Sequence, residues 1–493
     1  MVFNSIEYLI FLPLVVMLYY LIPHRYRWIL LLTASCVFYM WFVPKYILIL
    51  LVTIVIDYFA GLLMERDADN PKKKKRWMVV SITSTLLVLF IFKYLGFLND
   101  SVVALCQSFG LDVNTSVKLI LPIGLSFHTF QSMSYVIEVY RGHQKAERHF
   151  GYYALYVMFF PQLVTGPIER PGNLLRQLHE EKHFNENNIA RGLRLILFGF
   201  FIKMVVADNL GVYVDEVYAH PEEYNSWSVW LALVFYSFQI YGDFFGYSSI
   251  ALGSALLMGY EISDNFRSPY LSKNIAEFWH RWHISLSTWF RDYVYIPMGG
   301  SRVKLGRWMY NIMVVFVLSG IWHGANWTFL LWGLAHGILF CLYRLWKVRS
   351  EELGVRSEEL GVRSEELGVR SEELGVRSMA WKKISNFNFQ ISTFLMVTLA
   401  WVFFRSTDFA NIKAMFVGAF GQFSEGKQLA IDPKLWGFLA LFVISDIVLK
   451  DRRFDRWCSD VPVVLRWGIY AVLVFCTIVF SSVNQFPFIY FQF

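Results

Sequence analysis

The sequence predicts an all-α, polytopic membrane fold of about 11 membrane helices, and three observations carry that reading. Of 493 residues, 56% are hydrophobic and only 17% are charged, whereas a soluble globular domain has roughly 25% charged residues. Residues 308–343 and 467–493 contain no Asp, Glu, Lys or Arg at all, and about 20 apolar residues suffice to span a bilayer. Further apolar runs recur along the whole chain, separated by short basic loops. The mean hydropathy of +0.42 agrees; a soluble surface cannot be built from this mixture. The five cysteines, Cys36, Cys106, Cys341, Cys458 and Cys476, are odd in number and scattered, so they read as small packing residues, not as a disulfide framework or a zinc site.

In order, the apolar runs are 8–22, 28–43, 46–64, 77–98, 118–137, 189–207, 226–258, 308–320, 327–343, 387–404, 435–449 and 467–482. Some are too short or too long for one simple crossing, which sets the expected number near 11. Residues 1–6 lack a basic region, and the first run ends in Pro23-His24-Arg25 without a small-residue cleavage site, so this helix is expected to stay in place. The net charge of +7 resembles a nucleic-acid signal only until the positives are located. They lie in the loops Arg25 to Arg27, Pro71-Lys72-Lys73-Lys74-Lys75-Arg76, and 141–148. With the N-terminus outward these fall on one side, the cytoplasmic one under the positive-inside rule. No nucleic-acid partner is expected.

Residues 1–493 read as a single domain with one insert, 350–377, in which Ser-Glu-Glu-Leu-Gly-Val-Arg occurs four times unchanged. Its Leu and Val are two and then five apart, where a coiled-coil seam needs three and four, and each unit carries a helix-weakening Gly. The insert is therefore expected to be a low-complexity linker in a loop, with a partner-binding arm as the alternative.

Four polar interruptions carry the chemistry. Residues 274–297 are too charged to cross a bilayer; on a helical wheel Glu277, Arg281, Thr288 and Asp292 gather on one side. His283 falls on the other, among Ala276, Trp279, Leu286, Ser287 and Phe290, as either a satisfied core histidine or one that lines a reaction path. In Ser319-Gly-Ile-Trp322-His323-Gly-Ala-Asn326-Trp327, Gly320 and Gly324 bracket the histidine and allow a local break. Ionisable groups at membrane depth normally face a protein interior or a cavity, and imidazole can sit there neutral and serve as a base. His336 follows on the next helix as a weaker candidate. Phe160-Pro-Gln-Leu-Val-Thr-Gly-Pro-Ile-Glu-Arg170 suits a re-entrant or broken helix. Tyr241-Gly-Asp243-Phe-Phe-Gly-Tyr247 places one carboxylate in a long apolar run. For these last two, a kink or a polar helix–helix contact is the plainer reading.

Taken together, Phe278-Trp-His-Arg-Trp-His283-Ile-Ser-Leu-Ser, Arg291-Asp-Tyr-Val-Tyr-Ile-Pro-Met-Gly-Gly300 and Trp322-His323-Gly-Ala-Asn-Trp327 closely resemble the membrane-bound O-acyltransferase family, in its branch of bacterial polysaccharide acetylases of the alginate type. The likeness extends from Met1-Val-Phe-Asn-Ser5 to Phe488-Ile-Tyr-Phe-Gln-Phe493 and omits only the repeat insert. It implies a ring of helices, with re-entrant and interfacial elements, around a central tunnel. It also implies two functional histidines: His323 in the Trp-His-Gly motif and His283 closing the Trp-Arg-x-Trp-His type motif. One departure is visible, since His280 stands where the family motif usually has its first arginine.

The expected reaction moves an acetyl group from a cytoplasmic thioester, acetyl-CoA or an acyl carrier protein, to hydroxyls of an exported cell-surface polysaccharide. Transfer is either direct or through an acetyl-accepting partner protein outside the bacterial cytoplasmic (inner) membrane. His323 is the expected base. His283 orients it, polarises the donor carbonyl or acts on the opposite half of the tunnel. Asp243, Tyr241, Asn326, Trp322, Trp279, Arg281 and Ser287 are supporting or tunnel-lining candidates, and no bound cofactor or metal is expected. D-alanyl transfer to teichoic acid from a carrier protein is the alternative within the class. A polysaccharide exporter or transporter is the alternative outside it, although the sequence lacks the repeated halves that transporters usually show.

Overall fold

The computed structural model describes residues 1–117, 119–164, 166–365, 373–421, 426–482 and 488, with backbone only over 350–365 and 373–387. Among them the chain is helical, without a β-strand. Helix α1 (Ile6–Leu21) starts on Ser5, whose hydroxyl accepts from the Tyr8 amide, and α2 (His24–Met40) returns after Pro23. Helix α3 (Ile47–Arg66) leads to α4 (Pro71–Leu89), which opens on an Asn70 cap with proline in its first turn, both favoured there because the first amides lack helical partners. Helix α4 continues through a π turn, Phe90–Tyr94, into α5 (Leu95–Ser108).

Helix α6 (Leu125–Arg141) is buried all round from Leu125 to Val136 and so lies at the centre. Its sequence run was expected to begin at 118. That first residue is outside the described set, and the helix starts only at Leu125, behind Pro122 and a left-handed Gly124 (φ 77°) whose Cβ position would meet the Leu163 carbonyl at 2.5 Å. Helices α7 (Phe150–Met158), α8 (Phe160–Leu163) and α9 (Leu174–His179) are short. Phe159 (φ −51°, ψ 110°) breaks the first two apart and Pro161 sits in the first turn of α8, in keeping with the interrupted backbone expected of 160–170.

Helix α10 (Glu186–Phe200) passes through a second π turn, Phe201–Ala207, into α11 (Asp208–Ala219). The run 226–258 is one helix, α12 (Ser226–Leu257), of 32 residues and about 48 Å at 1.5 Å per residue. Helices α10 and α12 pack backbone to backbone. A Cβ on Gly192 would lie 2.8 Å from the Gly253 carbonyl, and one on Gly199 would lie 2.7 Å from that of Gly246. Small residues at matching intervals allow this approach where no hydrophobic force draws two lipid-solvated helices together.

The segment 274–297, expected to be one helix, is two: α13 (Ile275–Arg281) and α14 (Ile284–Phe290), the latter running into a π turn, Arg291–Tyr295. Then follow α15 (Leu305–His323), α16 (Trp327–Glu365), α17 (Glu373–Arg405), α18 (Phe409–Gly421), α19 (Pro433–Leu449), α20 (Phe454–Asp460) and α21 (Val463–Phe480). Gly320 of α15 faces the Phe329 carbonyl, and Gly333 of α16 faces that of Phe316, so these two also pack closely.

Each of the twelve apolar runs overlaps a helix, that of 118–137 only from Leu125 onward, and six helical stretches among the described residues are long and apolar enough to cross a membrane on length and composition alone. Apolar side chains such as Ile6, Val464 and Ile478 point outward. The chain is a multi-pass membrane protein. Its three basic loops meet at one end: Lys74 lies over Tyr140, the Tyr58 hydroxyl donates to the Arg148 carbonyl, and Trp28 packs on His149.

The insert departs from its expected loop. The described backbone of 350–365 and 373–377 is helical, extending α16 and preceding the membrane part of α17, while 366–372 lie outside the described residues. Extending an existing helix avoids the unfavourable nucleation step, which offsets a cost of about 1 kcal/mol per Gly.

Candidate active site

His323 is the last residue of α15, and the chain leaves it through Gly324 in an extended conformation before α16 begins. The turn is held by Asn326, whose side-chain oxygen accepts from the Thr328 amide at 3.0 Å and whose amide donates to the Thr407 carbonyl at 2.8 Å. The imidazole is buried, edge-on to Trp322 and Trp332 (4.9 Å each) and to Phe404 (5.2 Å).

His283 occupies the junction of α13 and α14 with φ 43° and ψ 56°. A left-handed backbone is uncommon for a residue other than glycine; here the surroundings impose it. The Ile284 amide donates to the Asn265 carbonyl at 2.9 Å, and the Ser287 hydroxyl to the Trp282 carbonyl at 3.2 Å. Ser285 then ties the junction to the broken segment, accepting from the Ile168 amide at 3.1 Å and donating to the Asn265 side-chain oxygen at 2.6 Å. The His283 ring is fully buried against Phe244 (4.6 Å), Trp322 (6.1 Å) and Phe127 (6.2 Å), and neither nitrogen has a hydrogen-bond partner among the described residues.

Trp322 is thus a wall common to both histidines, and its indole nitrogen donates to the Ser126 carbonyl at 3.3 Å. Trp332 plays the same part between His323 and His336, which lies 5.0 Å from it and from Trp279, again without a partner for either nitrogen. Three buried imidazoles alternate with two indoles. Buried polar atoms are nearly always paired, so the bare nitrogens of His283 and His336 mark places where a second molecule's polar group would be accommodated.

The other candidates sort by distance from this row. Trp279 walls His336. Arg281 faces the surface, with Glu277 at 3.0 Å and Asp451 at 2.6 Å. Tyr241 donates to Asp446 at 2.8 Å and joins α12 to α19. Asp243 pairs with Lys203, which also holds Asp208 at 2.6 Å; it is the next residue, Phe244, that touches His283. Exposed His280 bonds the Ala276 carbonyl at 2.7 Å, on the flank of the motif.

Two residues escaped the sequence reading. His128 is buried on α6 with both nitrogens unpaired, but no glycine or charged neighbour sets it apart in Phe127-His128-Thr129. Lys93 sits in the apolar run 77–98 with no motif around it, yet it reaches the end of α15. A cavity of ≈ 600 Å³ lined by Trp322, Asn326, Tyr94, Phe130 and Trp289 opens beside the row. At the end remote from the basic loops, a polar pocket of ≈ 480 Å³ is lined by Asp215, Tyr218, Arg405, Thr407 and Asn411.

Residues 143–355, which contain both candidate histidines, match the family model described as MBOAT, membrane-bound O-acyltransferase family. A probable alginate O-acetylase of Azotobacter vinelandii is 40% identical over 349 residues, 71% of this chain and 70% of its own. One of Pseudomonas putida is 33% identical with 100% of both chains covered. A peptidoglycan O-acetyltransferase of Helicobacter pylori is 32% identical over 79% of this chain and 73% of its own. On fold, motif order and these likenesses, the chain is an O-acyltransferase and belongs to the membrane-bound O-acyltransferase family.

Proposed function

We propose that this enzyme moves an acetyl group from a thioester donor, acetyl-CoA or an acyl carrier protein, presented at the end with the basic loops, to a hydroxyl presented at the other end. The final acceptor is an exported cell-surface polysaccharide, reached directly or through an acetyl-accepting partner protein, and the setting is the bacterial cytoplasmic membrane. The acceptor class rests on the named relatives, and the direction on the clustering of positive loops at one end. The observation that carries the chemical reading is the pair of buried imidazoles facing a common indole, each at a helix break.

In this reading His323 takes the proton of the acceptor hydroxyl as its oxygen attacks the thioester carbonyl. The new C–O bond forms, the C–S bond breaks, and the proton passes from the imidazole to the departing thiolate. His283, with unpaired nitrogens, orients or polarises the acyl group. The burial of both rings excludes water, which would otherwise hydrolyse the thioester.

Replacing His323 with alanine is expected to abolish acetylation at normal membrane levels of protein, because one imidazole at a helix end is a small part of the packing. Ester-linked acetate released by mild alkali from cell-surface glycans is the measurement. Wild-type acetate in that variant would refute the assignment, and ester-linked D-alanine in place of acetate would redirect it to D-alanyl transfer.

A further inference from the structure

Lys93 lies in the π turn Phe90–Tyr94, inside a membrane span, where an ammonium is costly unless its charge is satisfied. Its Nζ donates to the Trp322 carbonyl at 2.5 Å, the His323 carbonyl at 3.0 Å and the Ser126 hydroxyl at 3.4 Å. The neighbouring Tyr94 donates its hydroxyl to the Ile321 carbonyl at 2.8 Å. Two consecutive residues of one turn therefore hold the last three carbonyls of α15. The final carbonyls of a helix have no partner within it, and after His323 the chain turns away through Gly324, whose amide reaches back only to Gly320 at 3.4 Å. The end of α15 that carries the candidate base owes its geometry to a neighbouring span. A π turn adds a residue to one turn of helix and often marks functional sites; this one presents Lys93 and Tyr94 to the same target.

The donor count separates two roles. An ammonium has three donors and no acceptor, and all three are placed on protein oxygens. None is left for an oxyanion. We propose that Lys93 is a positioning residue for acyl transfer, fixing the backbone that carries His323, with Tyr94 in a smaller share of the same task. The proposal rests on His323 being the base. Its effect is on rate: displacement of a reacting group by about 1 Å can cost on the order of a hundredfold.

The test compares Lys93→Met, Lys93→Arg, Tyr94→Phe and His323→Ala in cells, reading alkali-released acetate per unit of membrane-inserted protein, with the thermal midpoint of each detergent-solubilised variant alongside. Lys93→Met is expected to lose at least about tenfold per folded molecule, Lys93→Arg to recover to within about fivefold of wild type because charge and donors are restored, and Tyr94→Phe to lose roughly two- to fivefold. The proposal is overturned if Lys93→Met keeps wild-type acetate beside an inactive His323→Ala, or if Lys93→Arg is as inactive as Lys93→Met at normal protein level. It is also overturned if acetate falls only in step with protein level and midpoint while Tyr94→Phe stays at wild type, which would make Lys93 merely structural. Full acetate in His323→Ala removes the base assignment, and this inference with it.

Discussion

Two regions bury ionisable side chains at comparable depth and treat them in opposite ways. Around α10 and α12, Lys203 lies between Asp208 and Asp243, with the Tyr247 ring 5.5 Å from its Nζ. At the α13–α14 junction and within α16, by contrast, His283 and His336 are enclosed by aromatic rings that offer their nitrogens nothing. The first arrangement is saturated and the second is receptive. Charge inside a membrane points to function by default, but the partners decide: a carboxylate clasped by an ammonium fastens helices, while a bare imidazole awaits a second molecule.

Substitutions can break or sharpen that contrast. The largest expected effect after loss of His323 is that of His283→Ala, which should cut acetylation by about 10²-fold, within the range for a positioned acid–base group, with little change in thermal midpoint. If midpoint and acetate fell together, the imidazole would be a packing element. Lys203→Met should do the reverse. Removing one partner of a buried ion pair costs about 3–5 kcal/mol, so protein level and midpoint should drop while the surviving molecules acetylate at near wild-type rate; normal stability with lost activity would move this cluster into the chemistry. Gly253→Ala should separate α10 from α12 and lower the midpoint by an amount set by overpacking, about 1–3 kcal/mol. His280→Arg should stay within about twofold, since an exposed flank site contributes little. Removal of 350–377 should be as mild; a severe loss in cells with intact turnover of a small acceptor by the purified protein would instead identify the insert as a docking arm.

Much of this was legible in the sequence. The twelve apolar runs each overlap a helix, the glycines around His323 marked a true break, and the two prolines of 160–170 marked another. The junction at His283 was not legible, because a helical wheel presumes continuity and nothing in Trp282-His283-Ile284 announces a left-handed backbone; only Asn265 and Ser285, brought close by the fold, impose it. The wheel still placed the ring inward, since a break that reverses no face preserves burial. Asp243 was a supporting candidate, but it is Phe244 that touches His283: on a helix adjacent residues point about 100° apart, and the partner of Asp243, Lys203, is 40 positions away in sequence. Over 350–365 and 373–377 the helical backbone differs from the expected loop for another reason: the glycines were weighed without the membrane helices on either side that carry the helical backbone in.

The indole of Trp322 makes the two proposed functional imidazoles one energetic unit. It faces both rings, is anchored through its nitrogen to Ser126, and its own carbonyl is held by Lys93. Groups that share a partner lose additivity. Removing His283 and His323 together should therefore cost scarcely more than removing His323 alone, and a thermodynamic cycle built on the two single variants should show a large coupling energy where independent residues would give none.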